Sequence, residues 1–207
     1  MADTELLVDP AVSRAKFERE LAEYRKLEDD HIRRGWWMLR AEYPEVFVVF
    51  ANPALRPPAV IFGALLDFTN YDLWAPSVKL VDPFTREPYK AKELPTVLKR
   101  RTVQQAPPEI VAMMQQQGAD AAELVREDPL MQWHSLDEEP FLCLPGIREY
   151  HEHPAHSGDS WLLHRDRGEG KLYFILEKLY KYGVQPITTY NIQMMPVIRF
   201  GQQEAPE

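Results

Sequence analysis

The sequence predicts a single α+β domain, a four-strand antiparallel meander packed by helices, and three observations carry that prediction. A helical apolar period opens the chain, four short apolar runs separated by proline-bearing turns follow, and a second helical period returns at Lys171. A chain of 207 residues fits one large domain, so 1–207 is read as one unit with an insertion over 83–133.

Asp9 before Pro10 marks a helix start, an acceptor for the first free N–H groups followed by a residue whose missing N–H costs nothing there. Phe17, Leu21, Tyr24 and Leu27 then recur on one stripe, which leaves Arg14, Glu18, Glu20 and Lys26 to water, and Gly35 ends this long helix. Trp37–Leu39, Val46–Phe50, Val60–Phe68 and Val78–Val81 read as successive strands, with turns at Pro44, at Pro53 through Pro58 and at Pro76. Residues 83–106 look irregular. Pro107 and Pro108 open a short helix carrying Ile110, Val111 and Met114, and a second helical piece is expected over Ala119–Arg126. No period runs between Pro129 and His164, yet that stretch is too rich in aromatic and histidine residues for disorder, so it is expected to be ordered. From Lys171, Leu172, Ile175, Leu176 and Leu179 line one helix face, with Gly183 expected as the C-terminal cap. Ile192–Phe200, interrupted by Pro196, reads as an edge strand at best.

Composition excludes several function classes. Hydrophobic residues make up 45% and charged residues 27%, enough apolar surface to close a core. A net charge of -8 opposes a polyanion, and the one dense basic cluster, Lys99, Arg100 and Arg101, reads as a solvated turn; no nucleic-acid partner is expected. The longest uncharged apolar run, Ala59–Leu66, is far short of the roughly 20 residues that span a bilayer. No membrane association is therefore expected, and with one cysteine and no apolar leader the expected location is the cytoplasm.

The chemistry concentrates in residues 141–165. Four of the six histidines (His151, His153, His156 and His164) lie there with the only cysteine, Cys143, and with Glu149, Glu152 and Asp159. Thiolate, imidazole and carboxylate are the ligand types of a tetrahedral zinc shell, and the spacing of Cys143, Glu149, His153 and His156, with His151 as a substitute, brings four such groups within one short segment. His151-Glu152-His153 is not a zincin motif, which requires histidines four apart, and position 155 is alanine. The residues alone leave three roles for Cys143 open: acyl-accepting nucleophile, zinc ligand, or small buried hydrophobe.

The order of a long helix, a four-strand meander, a proline-bearing loop, a cysteine before leucine, a tryptophan and an amphipathic helix resembles the ubiquitin-conjugating enzyme (UBC/RWD-like) fold. Tyr71, Pro76 and Val78 look like that family's strand-three segment, Leu142-Cys143-Leu144 like its Ile-Cys-Leu triplet, and Trp161 like its tryptophan before the next helix. Trp133, His134 and Ser135 stand where the family carries His-Pro-Asn. The resemblance thus implies a catalytic Cys143 with His134 and Ser135 nearby and without the asparagine that would steady the oxyanion in aminolysis. The string REYHEHPAHSGDSW with Cys143 also resembles the predicted metal-binding Cys-Glu-His-His (CEHH) family of bacterial operons that encode ubiquitin-like proteins. The two resemblances together imply a component of a bacterial ubiquitin-like modification pathway whose partners are a ubiquitin-like protein and its activating enzyme, with zinc as the implied cofactor. The alternatives are a noncatalytic zinc-binding interaction module and a metal-dependent hydrolase with Glu152 as its base.

Overall fold

A computed structural model describes residues 6–103, 108–118 and 125–191. The first helix, α1 (Pro10–Arg25), starts as the sequence predicts: the Asp9 carboxylate accepts the Ala11 N–H at 2.8 Å, with Pro10 at the first helical position. The predicted long helix is in fact two. The chain leaves helical geometry at Leu27 and restarts as α2 (Glu28–Arg34), with Glu28, Asp29 and Asp30 in its first turn. Those three acids would oppose the dipole at the end of one continuous helix, whereas they favour the start of a new one. Leu27 consequently faces water, and Gly35, at φ 88°, caps α2 in the left-handed region.

Strands β1 (Trp36–Glu42), β2 (Glu45–Asn52), β3 (Ala59–Asp67) and β4 (Ser77–Val81) form one antiparallel sheet in sequence order, the predicted meander. A register shift between Met38 and Arg40 leaves Leu39 on the outside. Alternation sorts the remaining residues. Val46, Val48, Phe50, Phe62, Ala64, Leu66, Val78 and Leu80 face the main core, while Phe47, Val49 and Val81 form a small cluster on the far face under the Arg86 guanidinium.

The main core is closed by α1 and by α5 (Leu172–Gly183), which bury Phe17, Leu21 and Tyr24 from one helix and Leu172, Ile175, Leu176 and Leu179 from the other. Each such side chain contributes roughly 1.5–3 kcal/mol on burial. Two details differ from the sequence reading. Glu20 is buried rather than solvated, because it lies where α1 packs against α5, with its carboxylate 3.5 Å from the Arg19 guanidinium. Gly183 is the last residue of α5 and not its cap. Its value is space, since a Cβ there would meet Leu98 and Phe62 at 3.0 Å.

Residues 83–133 hold a short 3-10 turn at Ala91–Glu93, strand β5 (Lys99–Val103), helix α3 (Pro108–Gln116), strand β6 (Val125–Pro129) and strand β7 (Met131–Gln132). The basic cluster is therefore strand and not turn. Cross-strand acids neutralise it, with Glu127 held by Lys99 at 3.2 Å and by Arg101 at 2.7 Å. The helix expected over 119–126 lies outside the described residues except for its last two, which are strand, and the edge strand expected over 192–200 lies wholly outside them. Among the described residues no helix is long and apolar enough to cross a membrane.

His31 of α2 ties the first helices to the sheet. Its ring stacks on Trp36 (centroids 4.7 Å apart) and against Tyr24 (4.4 Å), and its buried Nδ1 has no hydrogen-bond partner among the described residues. Burial, and then the Arg34 charge, hold this imidazole below the usual histidine range. The native state therefore keeps His31 neutral while the unfolded chain takes up a proton near the ordinary value of about 6.5, and stability from this residue is lost as pH falls through that region. Urea unfolding at about pH 7.5 and 5.5 should show the loss, and His31→Phe, which keeps the stack, should shrink it. An undiminished acid loss in the variant would show that His31 is not its source.

Candidate functional site

The segment after residue 129 carries little regular structure, so side-chain anchors position it. Strand β8 (Phe141–Leu142) pairs with β7, and the Cys143 N–H donates to the Leu130 carbonyl at 2.7 Å. The Leu144 N–H then returns to the Leu142 carbonyl at 2.9 Å, a three-residue turn with Cys143 at its apex. Leu142 and Leu144 are buried and Cys143 is half-buried, so the two leucines fix the turn and the thiol points away from the core. Gly146, at φ 97°, continues the bend where a Cβ would stand 2.4 Å from the Glu169 carbonyl oxygen.

The five-residue helix α4 (Arg148–Glu152) is clamped to the chain before β4. The Arg148 guanidinium donates to the Thr69 carbonyl at 2.8 Å and the Ala75 carbonyl at 3.2 Å, and the Arg148 N–H to the Pro76 carbonyl at 2.9 Å. Next to it, the Glu149 carboxylate accepts the Ser77 hydroxyl and, at 3.3 Å, the Val78 N–H. Burial pushes the Glu149 carboxyl above the usual range, against the pull of those hydrogen bonds and of Arg148. Trp161 closes the same region from the other side, its indole N–H donating to the Asp72 carbonyl at 2.9 Å.

Around Cys143 the imidazoles stand in two pairs. Cys143 Sγ lies 3.5 Å from His156 Nε2. His153 Nε2 lies 3.3 Å from His134 Nε2, with the His153 ring stacked on Phe141 and its Nδ1 accepting the Ala155 N–H. That acceptor role puts the His153 proton on Nε2, from which it points at the lone pair of His134. The rings of His153 and His156 are 5.7 Å apart and join the pairs. Burial raises the Cys143 thiol above its ordinary value, with the Arg100 charge offsetting part of the rise, so near neutrality the sulfur is a thiol that needs a proton acceptor.

The sequence-predicted residues are thus partly gathered. Cys143, His134, His153 and His156 share one face of the segment, while Glu149 is turned to Ser77 and Val78. His151 is committed at both nitrogens, accepting from the Gly146 N–H at 3.3 Å and donating to the Asp159 carbonyl at 2.8 Å. Ser135 Oγ accepts the Asp137 N–H and closes a turn, and Glu152 is exposed. Among the described residues no three His, Cys, Asp or Glu side chains converge on a point that would hold an ion. The implied Cys143, Glu149, His153 and His156 set does not form one zinc shell in this arrangement.

Sequence reasoning gave Tyr150 no role, and Asp159 and His164 none beyond membership of the cluster. The Tyr150 ring stacks on His156, and its hydroxyl donates to Asp159 at 2.6 Å. Asp159 also accepts from His164 Nε2 at 2.6 Å, and His164 Nδ1 meets Glu169. Burial works against charge on His164, but its two carboxylate partners prevail and hold it above the usual histidine range. No spacing rule singles out these residues. Only their density in the segment marked them.

Comparison with known proteins follows the same span. The Y4jH-like family (Y4jH family) matches residues 8–187. The uncharacterized protein y4jH of Sinorhizobium fredii (strain NBRC 101917 / NGR234) is 44% identical over 188 residues, covering 90% of this chain and 89% of the relative.

The geometry of Glu149 sets a direct test. Glu149→Gln keeps an acceptor for the Val78 N–H and an amide for Ser77 without a buried charge, so urea unfolding near pH 7 should show unchanged or raised stability. Glu149→Ala strands those donors and should cost about 1–3 kcal/mol. A Glu149→Gln loss as large as that of alanine would overturn the clamp assignment.

Proposed function

The chain belongs to the Y4jH-like family, and from its own residues we propose that it is a ubiquitin-conjugating-enzyme-like component of a bacterial ubiquitin-like modification pathway in which Cys143 accepts the acyl group. The observation that carries this reading is the placing of Cys143. It follows a helix and a four-strand meander in the order of that fold, sits at the apex of a turn between two buried leucines, and has His156 Nε2 3.5 Å from its sulfur. Trp161, anchored to Asp72 beside Tyr71, supports the same alignment.

In this reading the Cys143 thiol passes its proton to His156 as sulfur attacks the carbonyl carbon of the thioester that joins the ubiquitin-like C-terminus to the activating enzyme. The carbonyl electron pair moves onto oxygen and returns, the bond to the activating enzyme's sulfur breaks, and that sulfur takes the proton from His156. A new thioester on Cys143 results, with no net change in protons or electrons. Onward transfer to an amine lacks the family's asparagine, because Ser135, in that position, uses its hydroxyl to close a turn. The function proposed is accordingly that of a carrier.

A second reading, a noncatalytic zinc-binding interaction module, would require the Cys143–His156 and His134–His153 pairs to close on one point, which they do not do in this arrangement. A zinc that took Cys143 would occupy the sulfur lone pair, so the two functions exclude each other on that atom.

Incubating the chain with its activating enzyme, ATP and ubiquitin-like protein should give a thiol-labile adduct on a non-reducing gel. The adduct should be absent in Cys143→Ala, and His156→Gln should form it about a hundredfold more slowly. No reducible adduct from the wild type would overturn the carrier reading. Elemental analysis showing about one zinc per chain, with Cys143 alkylated faster after chelation, would then establish the module.

A further inference from the structure

Four residues beyond His156 are linked in an unbroken series that the proposed chemistry leaves unused. Glu169 holds His164, His164 holds Asp159, Asp159 accepts the Tyr150 hydroxyl, and the Tyr150 ring lies on the imidazole of His156 with centroids 3.9 Å apart and planes 24° from parallel. His151 braces the same aspartate at its backbone carbonyl. Only the last contact touches a group that meets the cysteine.

We infer that Tyr150 is the positioning residue of this site: its ring face sets the orientation in which His156 Nε2 meets Cys143, and its hydroxyl, anchored on Asp159, fixes that ring. This rests on the reading of His156 as the proton acceptor. The argument is geometric. The His156 main chain belongs to a single 3-10 turn, Pro154–His156, with exposed Ala155 and Ser157 on either side of it, and so short a turn does not by itself fix the imidazole. A flat aromatic surface against the ring holds its Cβ–Cγ torsion to two settings a half-turn apart, and only one of them points Nε2 at sulfur. Tyr150 in turn belongs to α4, which Arg148 and Glu149 clamp from the residues just before it. The hydroxyl is bound to a carboxylate that already accepts from His164, so Asp159 is held too. Burial and the bond to Asp159 push the Tyr150 phenol up to about 12, which keeps the donating proton in place.

A stacked ring can contribute much to rate without contact with substrate, because small misplacements of a reacting group cost up to about a hundredfold. Loading of Cys143 by the activating enzyme should fall about tenfold or more in Tyr150→Leu. It should recover most of the way in Tyr150→Phe, which keeps the ring and loses only its tether. Alkylation of Cys143 in the isolated chain should follow the same order, with circular dichroism confirming that each variant is folded.

The double variant with His156→Gln separates this inference from its premise. If Tyr150 acts through His156, Tyr150→Leu adds nothing further once His156 is gone. Additive losses, or wild-type loading in a folded Tyr150→Leu chain, would overturn the positioning role. Tyr150→Phe as slow as Tyr150→Leu would overturn the role of the ring face. An unimpaired His156→Gln would instead remove the premise, and with it the proton-acceptor reading.

Discussion

The site depends on one interaction, the pair of side chains Arg148 and Glu149 that pins the cysteine segment to the approach of β4. Residues 130–170 contain two strands of two residues each, three short 3-10 turns and the five-residue α4, which cannot persist on its own backbone hydrogen bonds. What holds it is the Arg148 fork on the carbonyls of Thr69 and Ala75, with its guanidinium also over the Trp74 ring, and the Glu149 carboxylate on Ser77 and Val78. Because these partners precede or open β4, the position of α4 is referred to the four-stranded sheet. Tyr150, one residue on, inherits that reference and passes it to His156 through the stacked rings. A polar clamp suits the task better than an apolar one, since hydrogen-bond geometry fixes both distance and direction while apolar contact fixes neither.

The parts of the fold legible in the sequence are those where one period decides the outcome. Val46, Val48 and Phe50 alternate with Phe47 and Val49, and both sets are buried, so the run reads as strand whichever face is the core. Leu172, Ile175, Leu176 and Leu179 likewise admit one face only. A charge is a poor signpost to water in this chain. Glu20 lies on the helix face that α5 covers, and nothing in the spacing of α1 reveals where its neighbour begins. Lys99 and Arg101 belong to a strand because Glu127 stands opposite them, and that pairing spans an intervening helix. The split at Leu27 was written in the three acids that follow, a signal that the apolar stripe masked.

The candidate site divides in the same way. Cys143, His153 and His156 were legible as a cluster because ligand-type residues rarely crowd, and His134 because the resemblance aligned it with a motif close to the cysteine. Glu149 shows the limit of such reasoning. A carboxylate that clamps backbone and one that binds a metal both need burial and both occur among histidines, so composition cannot separate them. Direction does, and direction comes from the helix: successive residues of α4 point about 100° apart, so Arg148 and Glu149 reach the sheet while Tyr150 turns toward His156.

The electrostatics of the segment explain why an imidazole at the sulfur matters. A low-pKa cysteine is made by nearby cations or a helix N-terminus, whereas here burial acts on Cys143 in the opposite sense and Arg100 only partly compensates. His164, the histidine whose environment favours charge, spends it on Asp159 and Glu169. His151, whose burial favours the neutral form, is bound at both nitrogens. His156 differs from both in presenting a nitrogen to the thiol itself, at 3.5 Å. A protonated thiol beside an imidazole is unreactive until a substrate arrives to accept the sulfur's electrons. On the carrier reading proposed above, the thiol gives up its proton only as the sulfur attacks, so the site needs no standing thiolate.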